Sequence, residues 1–424
     1  MRMKTLSRLT CGLTVAAALL STTAAFAATD LSMWYHGAGN EVEKKIITGI
    51  IDDFNKSQAD WSVKLEQFPQ AAYNDSVTAA AVAKKLPDIL DVDGPVMPSW
   101  AWAGYMAPLD LPAEAYAKFL PGPIGKWNGK LYSIGLWDAA VAMVSRKSVL
   151  NDNGIRIPTV DKPWTLEEFD AALVKLQASG KFENALDLGM AWKGEWYPYA
   201  FGPFLQSAGG DMVDRSTYKT AEGALNGAAA KKFGTWWQSV FARKLAPGTS
   251  QSPADRDTGF GAGKYAISWN GNWAALGAVE KFKDDVVFLP APDFGTGSKI
   301  GAASWQFGVS ATSANKAGAN AFIKFALQDK YLTAFSDGIG LIPPTPESAA
   351  ASKNYKAGGP MEAFYALSAK QALVRPITPG YPVAAKVFEK ALSDIANGGD
   401  VQKTLDAAAD EINADIKKNK DYGN

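Results

Sequence analysis

Between Leu31 and Val92 the spacing of apolar residues leaves this chain few possible folds. Leu31–Tyr35 reads as a strand, and Gly37-Ala38-Gly39-Asn40 breaks it. Val42, Ile46, Ile50 and Phe54 then recur every fourth residue, with Ile47 and Ile51 beside them, which is one apolar helix face. Ser62–Phe68 alternates about Val63 and Leu65 as a second strand. An Ala-rich helix is expected over Asp75–Lys85, and Pro87-Asp88 leads into a third strand, Ile89–Val92. The order β-α-β-α-β predicts a parallel sheet covered by helices. Right-handed crossovers then gather the loop chemistry at the carboxyl ends of the strands.

The same theme returns further on. Val141–Val144, Lys264–Ser268, Val286–Leu289 and Trp305–Ser310 read as strands. Pro163-Trp164-Thr165-Leu166-Glu167-Glu168-Phe169 opens a helix, with Thr165 as N-cap and Glu168 closing a capping box. Val401, Leu405, Ala408, Ile412 and Ile416 mark an amphipathic helix in the tail. There is no internal repeat and no long low-complexity linker. At ~100–200 residues per domain, a chain of 424 residues should form about two domains. The sequence therefore predicts two α/β lobes joined by short ordinary segments.

The start of the chain reads as an address. Arg2, Lys4 and Arg8 precede the apolar run Cys11–Leu20 and then Ala25-Phe26-Ala27. A basic start, a short apolar core and small residues at alternate positions make a secretory signal, with cleavage expected after Ala27. The run is too short to span a bilayer as a mature helix, and no later segment is apolar for long enough, so stable membrane insertion is not expected. Cys11 is the only cysteine and His36 the only histidine. A disulfide framework and a Cys/His zinc cluster are both excluded, and a Cys–His catalytic pair would need a residue that is removed. The mature chain must be held by core burial alone. Lys+Arg and Asp+Glu balance at 43 each, and the leader takes three cations and no acid. The balance excludes a basic nucleic-acid binder and a polybasic membrane-surface protein.

Aromatic residues next to polar ones are the main chemical signal. They fall after predicted strands: Trp34-Tyr35-His36; Asp93-Gly94-Pro95 with Trp100 and Trp102; Trp137-Asp138; Trp192–Tyr197; Trp269-Asn270-Gly271-Asn272-Trp273; Trp305; and Arg375-Pro376 with Tyr381. A sugar needs that mixture, because its C–H face stacks on an indole while its hydroxyl rim donates and accepts hydrogen bonds. Charged acceptors strengthen those bonds. Any one of these tryptophans is as readily core as cleft. His36, at a strand-to-helix junction, is either a cleft residue or a satisfied structural imidazole. The Gly37-Ala38-Gly39 turn reads as a plain turn rather than an anion cradle. Asp91-Val92-Asp93 is not read as a metal site, and with Gly94-Pro95 ending the strand, Asp93 faces a ligand while Asp91 does not. No nucleophile motif stands out. A secreted glycoside hydrolase would need two carboxylates across a sugar, and Asp138 with Glu195 is the pair that could serve.

Several segments carry a resemblance in order and spacing: Leu31–Ser57, Lys84-Lys85-Leu86-Pro87-Asp88-Ile89, Gly104-Tyr105-Met106-Ala107-Pro108-Leu109, Asn128-Gly129-Lys130-Leu131-Tyr132, Ser207-Ala208-Gly209-Gly210 and Gly271-Asn272-Trp273. With these the mature chain resembles the extracellular solute-binding proteins of ABC sugar importers, the group that includes maltose-binding protein. The resemblance implies a two-lobe periplasmic-binding-protein fold of type II, each lobe a mainly parallel sheet flanked by helices, with a ligand cleft at the hinge. It places the N-terminal lobe at residues 28–139 plus 304–331 and the C-terminal lobe at 140–303 plus 332–424. It implies a periplasmic protein that takes a mono- or oligosaccharide and docks on the transmembrane subunits of a permease; a monomer with no cofactor, no metal and no nucleic-acid partner is expected. Matched position by position, it suggests ligand contacts from His36, Asp93 and Asp138, from the loop Gly194, Glu195 and Trp196, and from Trp273, Trp305 and Arg375. Arg375 would either donate to neutral hydroxyls or mark an acidic sugar. A polyamine or an iron complex on the same architecture would call for more cleft acids or paired tyrosines. The abundance of tryptophan favours sugar over both.

Overall fold

The computed structural model describes residues 27–37 and 39–423. The expected leader, with Cys11, lies almost wholly outside the described residues. Six strands come first: β1 (Thr29–Tyr35), β2 (Trp61–Gln67), β3 (Ile89–Asp93), β4 (Met106–Ala107), β5 (Ile124–Trp127) and β6 (Lys130–Ile134). The chain then crosses to β7 (Ala139–Arg146), β8 (Asn184–Asp187), β9 (Tyr265–Gly271), β10 (Val286–Leu289) and β11 (Ile300–Ala303). It returns for β12 (Trp305–Ser310) and leaves again for β13 (Ala372–Leu373). The first sheet runs β2-β1-β3-β12-β6-β5 with β4 beside β12; the second runs β13-β11-β7-β9-β8 with β10 beside β7.

The β-α-β-α-β opening gives the parallel pairs β1–β2 and β1–β3. The strands that return across the hinge add antiparallel neighbours. β12 lies antiparallel to β3 and β6, and β7 antiparallel to β9 and β11. Both sheets are therefore mixed. Parallel pairing is confined to strands joined by a helical crossover and to the β11–β13 edge.

Helix Glu41–Ser57 shows how the sequence sets these elements. Asn40 caps it by accepting from the Glu43 amide at 3.1 Å. Glu41 and Glu43 lie in the first turn and Lys56 in the last, matching the helix dipole. Its buried face carries Ile47, Ile50, Ile51 and Phe54, each contributing about 1.5–3 kcal/mol by burial. The expected 75–85 helix runs over Gln70–Val82 instead, because Pro69 stands at its N-cap with φ −58°. The expected capping box is present: the Glu168 amide donates to Thr165 Oγ1 (3.2 Å), and the Thr165 amide to Glu168 Oε2 (3.0 Å).

Each sheet carries its own core. Leu31, Met33, Ile89, Phe307 and Val309 pack with Phe322 and Phe335 in the first lobe. Val141, Val144, Trp164, Phe204, Trp237 and Trp269 pack in the second. Helix Asp329–Ile339 puts Tyr331, Leu332 and Phe335 into the first core. The expected boundary at 331/332 would cut that helix, and by its packing the whole helix goes with the first lobe. No helix among the described residues is long and apolar enough to cross a membrane.

The crossing segments are tied to one another. Asp138 and Ile342 exchange backbone hydrogen bonds of 2.8 and 2.9 Å. Asn272 donates from Nδ2 to the Gly340 carbonyl (2.8 Å) and accepts from the Ala140 amide (3.0 Å). The Ser304 hydroxyl reaches the Trp137 carbonyl. All three passages thus meet at one hinge.

Candidate functional site

A cleft of about 730 Å³ lies between the lobes, lined from the first by His36, Asp93 and Trp305 and from the second by Trp192, Glu195, Tyr199, Trp273 and Arg375.

On the first wall, β1 ends at Tyr35 and delivers His36. The His36 amide donates to Asp91 Oδ2 at 3.1 Å, and Nδ1 pairs with the same carboxylate. Nε2 lies 3.8 Å from Glu43 Oε1. Burial works against a charged ring, but the carboxylates of Asp91, Glu43 and Asp93 together hold its pKa above the ordinary value. The ring stacks on Trp305, with centroids 3.8 Å apart. Trp305 opens β12 and sits in register opposite Asp93, the last residue of β3. The strand therefore persists through Asp93 rather than ending before it, so Asp91 and Asp93 share a face. Asp91 is nonetheless buried, beneath His36 and Tyr73, with its amide donating to the Tyr73 hydroxyl at 3.0 Å. Asp93 sits at the cleft edge. Burial raises its pKa, and Arg375 and His36 pull it back down.

The second wall is aromatic. Glu195 stands at the N-cap of helix Trp196–Ala208. Trp196 is buried and fixed by a bond from Nε1 to the Leu188 carbonyl (3.0 Å), and it supports Trp192 edge-to-face at 4.3 Å. Trp273 is 38 % exposed and runs nearly parallel to Tyr199, with centroids 6.1 Å apart. Gly271 makes this possible: a Cβ there would lie 2.2 Å from the Trp273 ring.

Arg375 joins the walls. Nη1 is 2.9 Å from Glu195 Oε1, and Nη2 is 3.9 Å from Asp93 Oδ1 on the other lobe. Its Cζ lies 4.8 Å over the Tyr199 ring. The Tyr381 hydroxyl donates to the same Glu195 oxygen. Burial raises the Glu195 pKa to about 7; Asp93 adds to the rise, while Arg375 and the Tyr381 bond oppose it.

Two expected residues lie off the cleft. Asp138 is fully buried at the hinge, where its carboxylate accepts from the Ala139 amide (2.9 Å) and from Ser368 Oγ (3.1 Å). Gly194 is exposed and turns the chain at φ 64° into the helix that carries Trp196. The others, His36, Asp93, Glu195, Trp196, Trp273, Trp305 and Arg375, all line the cleft. Sequence reasoning missed Asn40, Glu43, Gln70 and Tyr199 as lining residues. Glu43 falls on the polar side of the helical pattern, yet it is buried because the Tyr35 hydroxyl (2.6 Å) and Asn40 Nδ2 (3.0 Å) donate to it. Of the other flagged tryptophans, Trp137 lines the cleft and packs on Phe335, Trp100 and Trp269 are core, Trp34 packs on Phe68, and Trp102 on Tyr422. Among the described residues, no cluster of His, Cys, Asp or Glu is placed to hold a metal ion.

Two lobes, a hinge of meeting crossings and a lined cleft between them define a receptor that takes a solute between its halves. The chain belongs to the family of bacterial extracellular solute-binding proteins, matching it over residues 49–363. It is similar to an uncharacterized lipoprotein of the oleD 5′ region in Streptomyces antibioticus, 24% identical over 306 residues, which are 69% of this chain and 66% of that protein. The chain thus spans just under two thirds of that relative. Among solved structures it is similar to the GacH receptor of Streptomyces glaucescens, at 22% identity and a TM-score of 0.74 over 92% of this chain and 98% of that one. It is likewise similar to the cyclic alpha-maltosyl-1,6-maltose binding protein of Arthrobacter globiformis, at 20% identity and a TM-score of 0.76 over 92% and 100%. At these identities the structural likeness is one of fold, and it extends over nearly the whole of each chain.

Proposed function

We propose that this protein is the solute-capturing component of an ABC importer, that its solute is a mono- or oligosaccharide or glycoside, and that closure of the two lobes presents it to a membrane permease. The observation that carries the reading is the pairing of surfaces across the cleft. Trp192 and Trp273 line the cleft from one lobe, with Tyr199 beneath Trp273 and Arg375, while His36, Trp305 and Asp93 line it from the other. A pyranose satisfies both at once, with its C–H face on indole and its hydroxyls on carboxylate, guanidinium and imidazole. The GacH receptor was solved in complex with acarbose, which supports a saccharide in this fold. His36, Asp93, Glu195, Trp196, Trp273, Trp305 and Arg375 are the proposed ligand-binding set, with Asp138 and Gly194 shaping the hinge and the loop.

Ligand binds the closed state better, because only there do both walls reach it. Processing after Ala27, release into the periplasm and a monomeric receptor complete the proposal. Tryptophan fluorescence titration against a panel of saccharides tests it, since Trp273 is part-exposed in the cleft. Saturable change with at least one sugar is expected, and the sugar should be recovered unaltered after long incubation. Absence of any saturable response removes the carbohydrate assignment; conversion of the sugar would return the hydrolase reading.

A further inference from the structure

Resting on the carbohydrate reading, the charges of the cleft narrow the class of saccharide. Arg375 is the residue that would greet an anionic sugar, and it is already engaged. Carboxylates from opposite lobes flank it at 2.9 Å (Glu195) and 3.9 Å (Asp93), and Tyr199 covers one face. Its side chain is only 6% exposed. Because Nη1 holds Glu195 Oε1 at 2.9 Å, the guanidinium cannot turn outward to a ligand without breaking that pair.

Acceptors flank Arg375 on both lobes. Glu43, Asp93 and Glu195 line the cleft, and Asp91 stands directly behind His36. The basic groups of the cleft are Arg375, His36 and Lys193, the last out over the Tyr197 ring, 5.6 Å from its centroid, and Arg256 stands beside it over the Trp192 ring at 4.9 Å. Glu195 Oε1 is occupied by Arg375 and Tyr381, and among the described residues no hydrogen-bond donor is placed on Oε2 or on the Asp93 carboxylate. Those free lone pairs call for O–H or N–H donors from the ligand. A ligand carboxylate or sulfate would set oxygen anions against them at low effective dielectric.

We propose that this cleft admits neutral and amine-bearing saccharides and rejects those carrying a carboxylate or sulfate, with Arg375 held as the fixed partner of Glu195 and Asp93 rather than acting as an anion receptor. Asp93 and Glu195 are then the specificity-determining residues of the site.

Isothermal titration of the mature chain at pH 8, where Glu195 is ionised, against matched sugars tests this. Galacto- and cello-oligosaccharides are compared with their uronate counterparts and with amine-bearing glucosamine oligomers. The expected result is that a neutral or amine-bearing member binds and its uronate counterpart binds at least ~30-fold more weakly, the scale of a like-charge contact. In Asp93→Asn, which keeps the shape and removes the charge, that gap should narrow several-fold. Glu195→Gln offers the same reading if Asp93→Asn does not fold. A uronate that binds as tightly as its neutral partner overturns the inference and leaves the carbohydrate reading standing, as does an unchanged gap in a folded variant. Binding of no saccharide removes both.

Discussion

The imidazole of His36 lies flat on the indole of Trp305, with ring centroids 3.8 Å apart and planes within 5° of parallel. One ring follows the end of β1 and the other opens β12, so the contact ties together two strands that flank β3 and are separated in the chain by two crossings of the hinge. The same stack places a charge-bearing ring against a π-face, which favours the imidazolium.

His36 should therefore titrate above 6.5, because Asp91 and Glu43 outweigh its burial. A raised folded-state pKa contributes stability that is complete below the unfolded value and is lost as pH rises through the folded one. The chain has one histidine, so its ring C–H resonance reports the titration without assignment. A midpoint above 6.5 is expected, along with a stability advantage over His36→Gln that shrinks toward alkaline pH. A midpoint below 6.5 would mean that burial prevails.

Glu195 makes a second pH-dependent contribution. Its pKa rises from an ordinary 4.5 to about 7 in the fold. Between those values the unfolded chain ionises while the folded one does not, so stability falls as pH rises through that window. Urea midpoints measured from pH 4 to 8 should fall less steeply for Glu195→Gln than for the wild type. Parallel curves would contradict this assignment.

Trp273 can be tested by displacement as well as by removal. Gly271 has an ordinary φ of −85°, so alanine fits its backbone, yet the added Cβ would meet the Trp273 ring at 2.2 Å. Gly271→Ala should weaken saccharide affinity, and Trp273→Ala should weaken it by ~10-fold or more, the range of one stacking contact. Neither should shift the melting temperature as far as Trp196→Ala, which empties a buried site at about 3–5 kcal/mol. Calorimetric titration and thermal scans of the three variants separate these roles.

Asp138 should prove to hold the hinge together. Asp138→Ala strands the Ala139 amide and the Ser368 hydroxyl, both hydrogen-bonded to that carboxylate. An unsatisfied buried donor costs about 1–3 kcal/mol. Chemical denaturation should show a loss on that scale, with a smaller loss in Ser368→Ala. A change in affinity with no change in stability would instead restore Asp138 as a ligand contact.

The sequence was readable where its periodicity was local. The alternation in Ser62–Phe68, the four-residue spacing from Val42 to Phe54 and the Thr165–Glu168 box each specify their element within one turn or strand. What it concealed was long-range. Trp269 and Trp273 share one motif, yet Trp269 donates to the Ala200 carbonyl (3.1 Å) in the core, and Trp273 stands in the cleft. Neighbours four apart part company because β9 ends between them. Glu43 lies off the apolar face of its helix, and nothing local shows that the Tyr35 hydroxyl folds over to bond it. The same holds near residue 331, where only the packing of Phe335 on the first core ties its helix to that lobe.

The lodging of β12 between β3 and β6 has a consequence for biogenesis. Ile89 must wait for Val309 and Ser133 for Gly308 before the middle of that sheet exists. Contacts so distant in sequence are slow to form. The middle of the first sheet therefore cannot close until the chain is made past Ser310, and a lobe still open is one that can be drawn through a translocation pore.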